Sequence, residues 1–336
     1  MRRFILFFMA TIFVAACTKF NDKNYFIAPY RELLGNIIID QDSSMLIGGR
    51  AIISGVINDA VYIFDPWGEY FYIKYDATNN TACRFCRKGQ GPKEVVNVLS
   101  SVTLVVRADG NYISIFDNYH CKFLFFKEDH VTENFYVQES SLVDRAMVAG
   151  AFPINDSIVI VRGVFDKNIC MFLKNGVRQN VYLESFTKVG DDNVKRILKD
   201  ANRFALSPNK EYLIRIAQNG GLIEGYKIED MQLIQQFSHN YFDVICDANL
   251  SDTKDSRYGY IDVSVSNDKI YGLYDGGLVR RDNTFRSDII HVYSMDGRLL
   301  EKLLLDQYVE SIGVNDENTQ IFAKSADNSD LVLFNL

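Results

Sequence analysis

The feature that most constrains this chain is a turn that returns at a near-constant interval. Asn58-Asp59, Asp109-Gly110, Asn155-Asp156, Asn209-Lys210, Asn267-Asp268 and Asn315-Asp316 are separated by 51, 46, 54, 58 and 48 residues. Asn, Asp and Gly tolerate the positive φ that two-residue hairpin turns require. After each turn comes a β-prone run: Ala60–Phe64, Tyr112–Phe116, Ser157–Val161, Tyr212–Ala217, Ile270–Tyr274 and Thr319–Ala323. Several of these runs lead into an aspartate, namely Asp65, Asp117 and Asp275. A polar loop then precedes a third run, at Phe71–Tyr75, Lys122–Phe126, Ile169–Leu173, Leu222–Ile228, Ile289–Tyr293 and Leu331–Leu336. A second turn leads to a fourth run, as Asp296-Gly297 does before Leu299–Leu305.

Four strands per unit at a period near fifty is the pattern of a β-propeller. A two-sheet sandwich is the competing all-β reading, but sandwiches seldom repeat a turn this regularly. The expected fold is therefore a six-bladed β-propeller with four-stranded blades over residues 32–336. The last unit stops at its third run, and Leu33–Asp40, with Ile37-Ile38-Ile39 at its centre, supplies the missing strand. The ring would then be closed by an N-terminal strand in the last blade, leaving no full unpaired edge. The composition suits this, with 13% aromatic residues and only 5 prolines in 336 positions.

Residues 1–16 read as a signal peptide. Arg2 and Arg3 precede an apolar stretch, Phe4–Ala16, which is too short to span a bilayer as a helix. Val14-Ala15-Ala16-Cys17 resembles a bacterial lipobox. That resemblance implies that Cys17 is acylated, that residues 17–31 form a tether, and that the protein sits in the cell envelope, on the outer membrane. Membrane contact would run through the lipid on Cys17 alone. The net charge is −7, with no long Lys/Arg run, which argues against nucleic acid as a partner.

Between the first two units lies Arg87-Lys88-Gly89-Gln90-Gly91-Pro92-Lys93-Glu94-Val95. A phosphate loop is excluded, because no Gly-Lys-Ser/Thr follows. The stretch resembles the Gly-Gln-Gly-Pro-Gly-Glu-aromatic element of the six-bladed propeller lipoproteins of Bacteroidetes, relatives of the NHL-repeat and TolB-like propellers. Lys93 stands where that family has Gly, and Val95 where it has an aromatic residue. The resemblance implies a six-bladed ring on an acylated tether. Further on, Asp191–Asp200 reads as a short amphipathic helix with Val194, Ile197 and Leu198 on one face. Asp243–Tyr258 reads as a long exposed loop with four aspartates.

No catalytic constellation is evident. Cys83 and Cys86 have Cys-x-x-Cys spacing but no second pair, and with Cys121, Cys170 and Cys246 they read as free thiols. The four histidines never pair at metal spacing. No metal ligand set and no cofactor is called for. In a propeller, the loops after each second strand and those entering each blade converge on one mouth of the channel. They bring Trp67, Tyr119, His120, Arg162, Arg203, Tyr258, Arg280 and Arg281 as candidate ligand-binding residues. Arginines and aromatics of this kind suit an anionic or sugar-like ligand. The expected function is a non-catalytic envelope lipoprotein that binds a small molecule, a glycan or an envelope protein. The alternative is a channel-site propeller enzyme of the metal-dependent lactonase or hydrolase type.

Overall fold

A computed structural model describes residues 28–39, 47–133, 135–139, 148–279 and 285–336. The expected signal peptide, Cys17 and Arg280 and Arg281 lie outside them. The fold is an all-β propeller, and its strands follow the repeat. Strands β1 (Tyr30–Leu33) and β2 (Gly35–Ile39) come first. Then β3 (Ile52–Ile57), β4 (Ala60–Phe64), β5 (Tyr70–Asp76) and β6 (Thr81–Arg87) form one antiparallel sheet. A second comprises β7 (Val98–Arg107), β8 (Gly110–Asp117), β9 (Lys122–Lys127) and β10 (Tyr136–Glu139). A third holds β11 (Val148–Pro153), β12 (Ile158–Phe165), β13 (Asn168–Lys174) and β14 (Val177–Glu184). Helix α1 (Asn193–Asp200) leads into a fourth, β15 (Asn202–Leu206), β16 (Tyr212–Ala217), β17 (Leu222–Glu229) and β18 (Gln232–Asn240).

The remaining strands form one eight-stranded sheet: β19 (Tyr260–Val265), β20 (Lys269–Tyr274), β21 (Ser287–Ser294), β22 (Leu299–Val314), β23 (Gln320–Ser325), β24 (Leu331–Asn335), then β2, with β1 off this path on β22. Strand β22 is 16 residues long, and its two ends pair different neighbours, β21 through Leu299–Leu304 and β23 through Ser311–Val314. Strand β2 pairs antiparallel with β24, and β1 runs parallel to β22.

Burial follows from pairing. Strands in the middle of a sheet lose both faces to neighbouring sheets, so β4, β8, β13 and β16 are almost continuously buried. The apolar residues gather into clusters, each lying between two sheets or, for the eight-stranded sheet, between its two halves. Ile39, Phe322 and Leu331 share one such cluster with Ile53, Val61 and Ile63, so the end of the chain packs on its first sheet.

The turns link neighbouring sheets in series. Arg107 pairs with Asp156, the Asn209 amide donates to the Asn267 side chain, and Asn318 donates to Asp268. The Asn315 amide group reaches Asp59 at 3.5 Å, which joins the last turn to the first.

Several expectations need correction. Only at Asn58-Asp59 do both turn residues take positive φ. At three of the others a side chain in or beside the turn closes it. Asn155 Oδ1 accepts from the Ser157 and Ile158 amides, Ser266 Oγ from that of Lys269, and Asn315 Oδ1 from those of Thr319 and Gln320. The expected tether, residues 17–31, overlaps the fold, because Tyr30 and Arg31 already belong to β1, where Arg31 forms a two-pronged pair with Glu301. The isoleucines at the centre of the expected N-terminal strand are not equivalent: Ile39 is 2% exposed but Ile37 is 57% exposed. Regular alternation would place both on one face, but the pairing with β24 shifts register between Ile37 and Ile39, so they turn to different sides.

Helix α1 starts two residues later than read, with Asp192 as its N-cap accepting from the Lys195 amide. Its inward face is Ile197 and Asp200, while Val194 and Leu198 are exposed. Asp200 goes inward because its carboxylate accepts the amides of Phe186 and Thr187 and lies 3.7 Å from Arg215.

Candidate functional site

The inner strands of all these sheets surround one central cavity of about 430 Å³. Its wall is made by β3, β7, β11, β15, β19 and the C-terminal end of β22. Most of this wall is apolar or hydroxylic, and its charged residues are Arg162, Arg203, Lys210, Asp262 and Asp316.

Arg162 projects from β12 and Arg203 from β15; both line the cavity. The Arg162 guanidinium donates to the carbonyls of Asn202 and Ala149, which holds it across two sheets. Burial pushes its pKa down to about 10, and the positive charge of Arg203 adds to the shift. Arg162 still carries its proton at neutral pH. Its Nε is buried without a hydrogen-bond partner among the described residues.

Arg203 donates from Nη1 to Asp262 Oδ1 at 3.0 Å. Asp262 Oδ2 accepts from the Ile312 amide, also at 3.0 Å. Burial raises the Asp262 pKa, while Arg203 and the backbone amides oppose that shift. Sequence reasoning missed Asp262, although a signal was there. It stands between Ile261 and Val263 in a mostly apolar, buried strand, where a carboxylate needs a partner.

The other candidates among the described residues do not join this cluster. Trp67 and Tyr119 sit on the loops after β4 and β8, 72% and 62% exposed. The Arg50 guanidinium lies 5.4 Å from the Trp67 ring centre. His120 is held on its own loop, with Nδ1 2.7 Å from Asp117. Tyr258 is 2% exposed and packs against Phe285, so its ring is not presented to solvent.

The aspartates that end the second strands shape these loops. Asp65 Oδ1 accepts from the Trp67 and Gly68 amides, Asp117 Oδ1 from those of Tyr119 and His120, and Asp275 Oδ1 from that of Gly277. The glycine element after β6 is a tight turn built around Glu94. Its carboxylate accepts from the Gly91 amide, and a Cβ at Gly89, where φ is +153°, would lie 1.9 Å from it. Lys88 adds a bond from Nζ to the Pro66 carbonyl.

Among the described residues no three His, Cys, Asp or Glu side chains gather as a metal site. In the long loop, Asp247 accepts its own loop's amides at Asn249 and Ser251, and Asp252 pairs with Lys199. Cys83, Cys86, Cys121, Cys170 and Cys246 are all free thiols, and burial pushes those of Cys86 and Cys170 strongly up.

A model of the TolB-like 6-blade propeller-like family matches residues 55–317. The chain belongs to this TolB-like propeller family. Solved structures agree on the fold. An exported protein of Bacteroides fragilis aligns with a TM-score of 0.57 at 10% identity, over 92% of this chain and 98% of that one. The β-propeller domain of Cps50 (Swd1) from Myceliophteria thermophila gives 0.50 at 12% identity, over 90% and 99%. No curated protein sequence matches the chain. In this TolB-like chain the arginine pair of the cavity is therefore a feature to be read from the site itself.

Proposed function

We propose that this protein is a non-catalytic binding lipoprotein of the cell envelope, and that its ligand enters the central channel. The observation that carries the reading is the 430 Å³ cavity, a size typical of small-molecule sites, with convergent charged groups on its wall. Its carboxylate Asp262 is engaged by Arg203 and by the Ile312 amide. That arrangement holds a ligand rather than activating a nucleophile.

The architecture behind this reading is a ring of six four-stranded blades. The eight-stranded sheet is two blades that share β22, with an apolar core between its halves. Strand β2 is the fourth strand of the last blade and closes the ring, while β1 is an added strand. The lipobox at Cys17, the glycine element at Gly89–Glu94 and the exported protein of the same fold support an acylated envelope protein of the Bacteroidetes type. The exposed Trp67 and Tyr119 stand outside the channel, where they would meet a glycan or a protein.

A ligand screen by thermal shift, followed by hydrogen exchange on each hit, tests the channel assignment. Ligands should protect amides of β3, β15 and β19. Hits that protect only the outer strands β6, β14 and β18 would overturn it.

A further inference from the structure

The chemical class of the ligand rests on the channel assignment above and on the groups of the channel wall. We propose that Arg162 and Arg203 form a seat for the carboxylate of a small hydroxylated acid of the sugar-acid class, and that Asp262 occupies part of that seat until the ligand arrives.

A guanidinium offers five N–H donors and no acceptor. Arg162 commits its two terminal nitrogens to the Asn202 and Ala149 carbonyls. Its Nε remains, buried and unpartnered among the described residues. Arg203 commits Nη1 to Asp262. Its Nε and Nη2 have no partner among the described residues. Asn202, whose carbonyl takes the Arg162 bond, is the residue just before Arg203. The two guanidiniums are thus brought to one part of the wall, and free donors remain on both.

Charge selects the ligand. Arg162, Arg203 and Lys210 against the Asp262 and Asp316 carboxylates leave one net positive charge in a partly desolvated cavity. A single carboxylate neutralises it. A phosphate near −2 would overshoot and would face Asp262 at close range. A neutral ligand would leave the excess charge uncompensated.

Polar groups that can meet hydroxyls stand among the apolar residues of the wall. Ser54, Ser101, Thr103 and Gln218 line the same cavity. Ser54 Oγ is buried without a hydrogen-bond partner among the described residues. Such groups match a polyol rather than an aliphatic chain. The volume suits a ligand of about one ring.

Asp262 gives the proposal a signed test. Its bond from Arg203 must weaken when a ligand carboxylate competes for that guanidinium. Asp262→Asn keeps the acceptor for the Ile312 amide, removes the competing charge, and should tighten binding. A merely structural Asp262 would give no gain.

Isothermal titration of the full chain in mild detergent, with glucuronate, glucose and glucose 6-phosphate as probes, decides it. Glucuronate should bind, glucose should bind roughly ten- to hundredfold more weakly, and glucose 6-phosphate should also be weaker than glucuronate. Asp262→Asn should bind glucuronate more tightly than the parent, and Arg203→Gln combined with Asp262→Asn should lose that gain and more. The paired change avoids leaving Asp262 buried and unpaired. Should the double variant fail to fold, Asp262→Asn and the comparison of probes still decide.

Equal affinity for glucose and glucuronate, tighter binding of the phosphate, or an unchanged affinity in Asp262→Asn would each overturn the proposal. If none of the three probes binds while another ligand protects the inner strands, the carboxylate assignment fails and the channel reading stands. If nothing protects those strands, both fail.

Discussion

Closing the ring through β2 predicts an uneven response along one short strand. Ile39 is 2% exposed and packs in a cluster with Ile63, Phe322 and Leu331, between the last sheet and the first. Truncating a buried isoleucine to alanine removes its transfer free energy and leaves a cavity, together about 2–5 kcal/mol. Total domain stability is of order 5–15 kcal/mol, so Ile39→Ala should consume a large part of it. Two positions away, Ile37 is 57% exposed, and Ile37→Ala should change stability by no more than about 0.5 kcal/mol. Gly35→Ala makes an independent check. A Cβ there would lie 2.5 Å from Val332 Cγ1, an overlap worth about 1–3 kcal/mol. Urea unfolding monitored by circular dichroism, read as midpoint shifts at constant slope, measures all three. The ordering Ile39→Ala, then Gly35→Ala, then Ile37→Ala is expected. If Ile39→Ala unfolds with the parent, the N-terminal strand does not complete the last blade.

Four further outcomes follow from other parts of the molecule. Burial, with Lys302 nearby, lowers the pKa of His291 to about 3, so the folded protein holds it neutral while the unfolded chain protonates it near 6.5. The unfolded state then binds the extra proton between those values, and stability falls with acidification below about pH 6.5, by up to about 1.4 kcal/mol per unit from this group. His291→Gln should flatten the corresponding part of a pH series of unfolding free energies. Arg215 sits between Glu224, at 3.0 Å, and Asp200, at 3.7 Å, and Arg215→Ala would strand two buried carboxylates. A loss of about 3–5 kcal/mol in denaturant unfolding is expected. Gly89→Ala puts a Cβ against the Glu94 carboxylate and should cost about 1–3 kcal/mol in the same assay, with loss of hydrogen-exchange protection at the Gly91 amide. Cys17→Ser should abolish acylation and move the protein out of the membrane fraction, as checked by fractionation and mass spectrometry.

The sequence by itself determined the repeat. A turn every fifty residues and strands on both sides of it are local properties, set by Asn, Asp and Gly in the turns and by β-branched and aromatic residues between them. Runs such as Ala60–Phe64 and Tyr212–Ala217 coincide with β4 and β16. The aspartates that close the second strands were visible for the same reason, because an Asx turn depends on residues two or three positions away. The tertiary structure alone decided which side chains meet. Arg162 and Arg203 are 41 positions apart, and Asp262 is 59 further on, so no periodicity brings them together. Only the packing of inner strands around a common axis does. The same holds for Tyr258, which reads as a loop residue and is buried under Phe285. It holds too for Ile37 and Ile39, which look alike in sequence until β24 fixes the register of β2 and sends one to solvent and the other to the core.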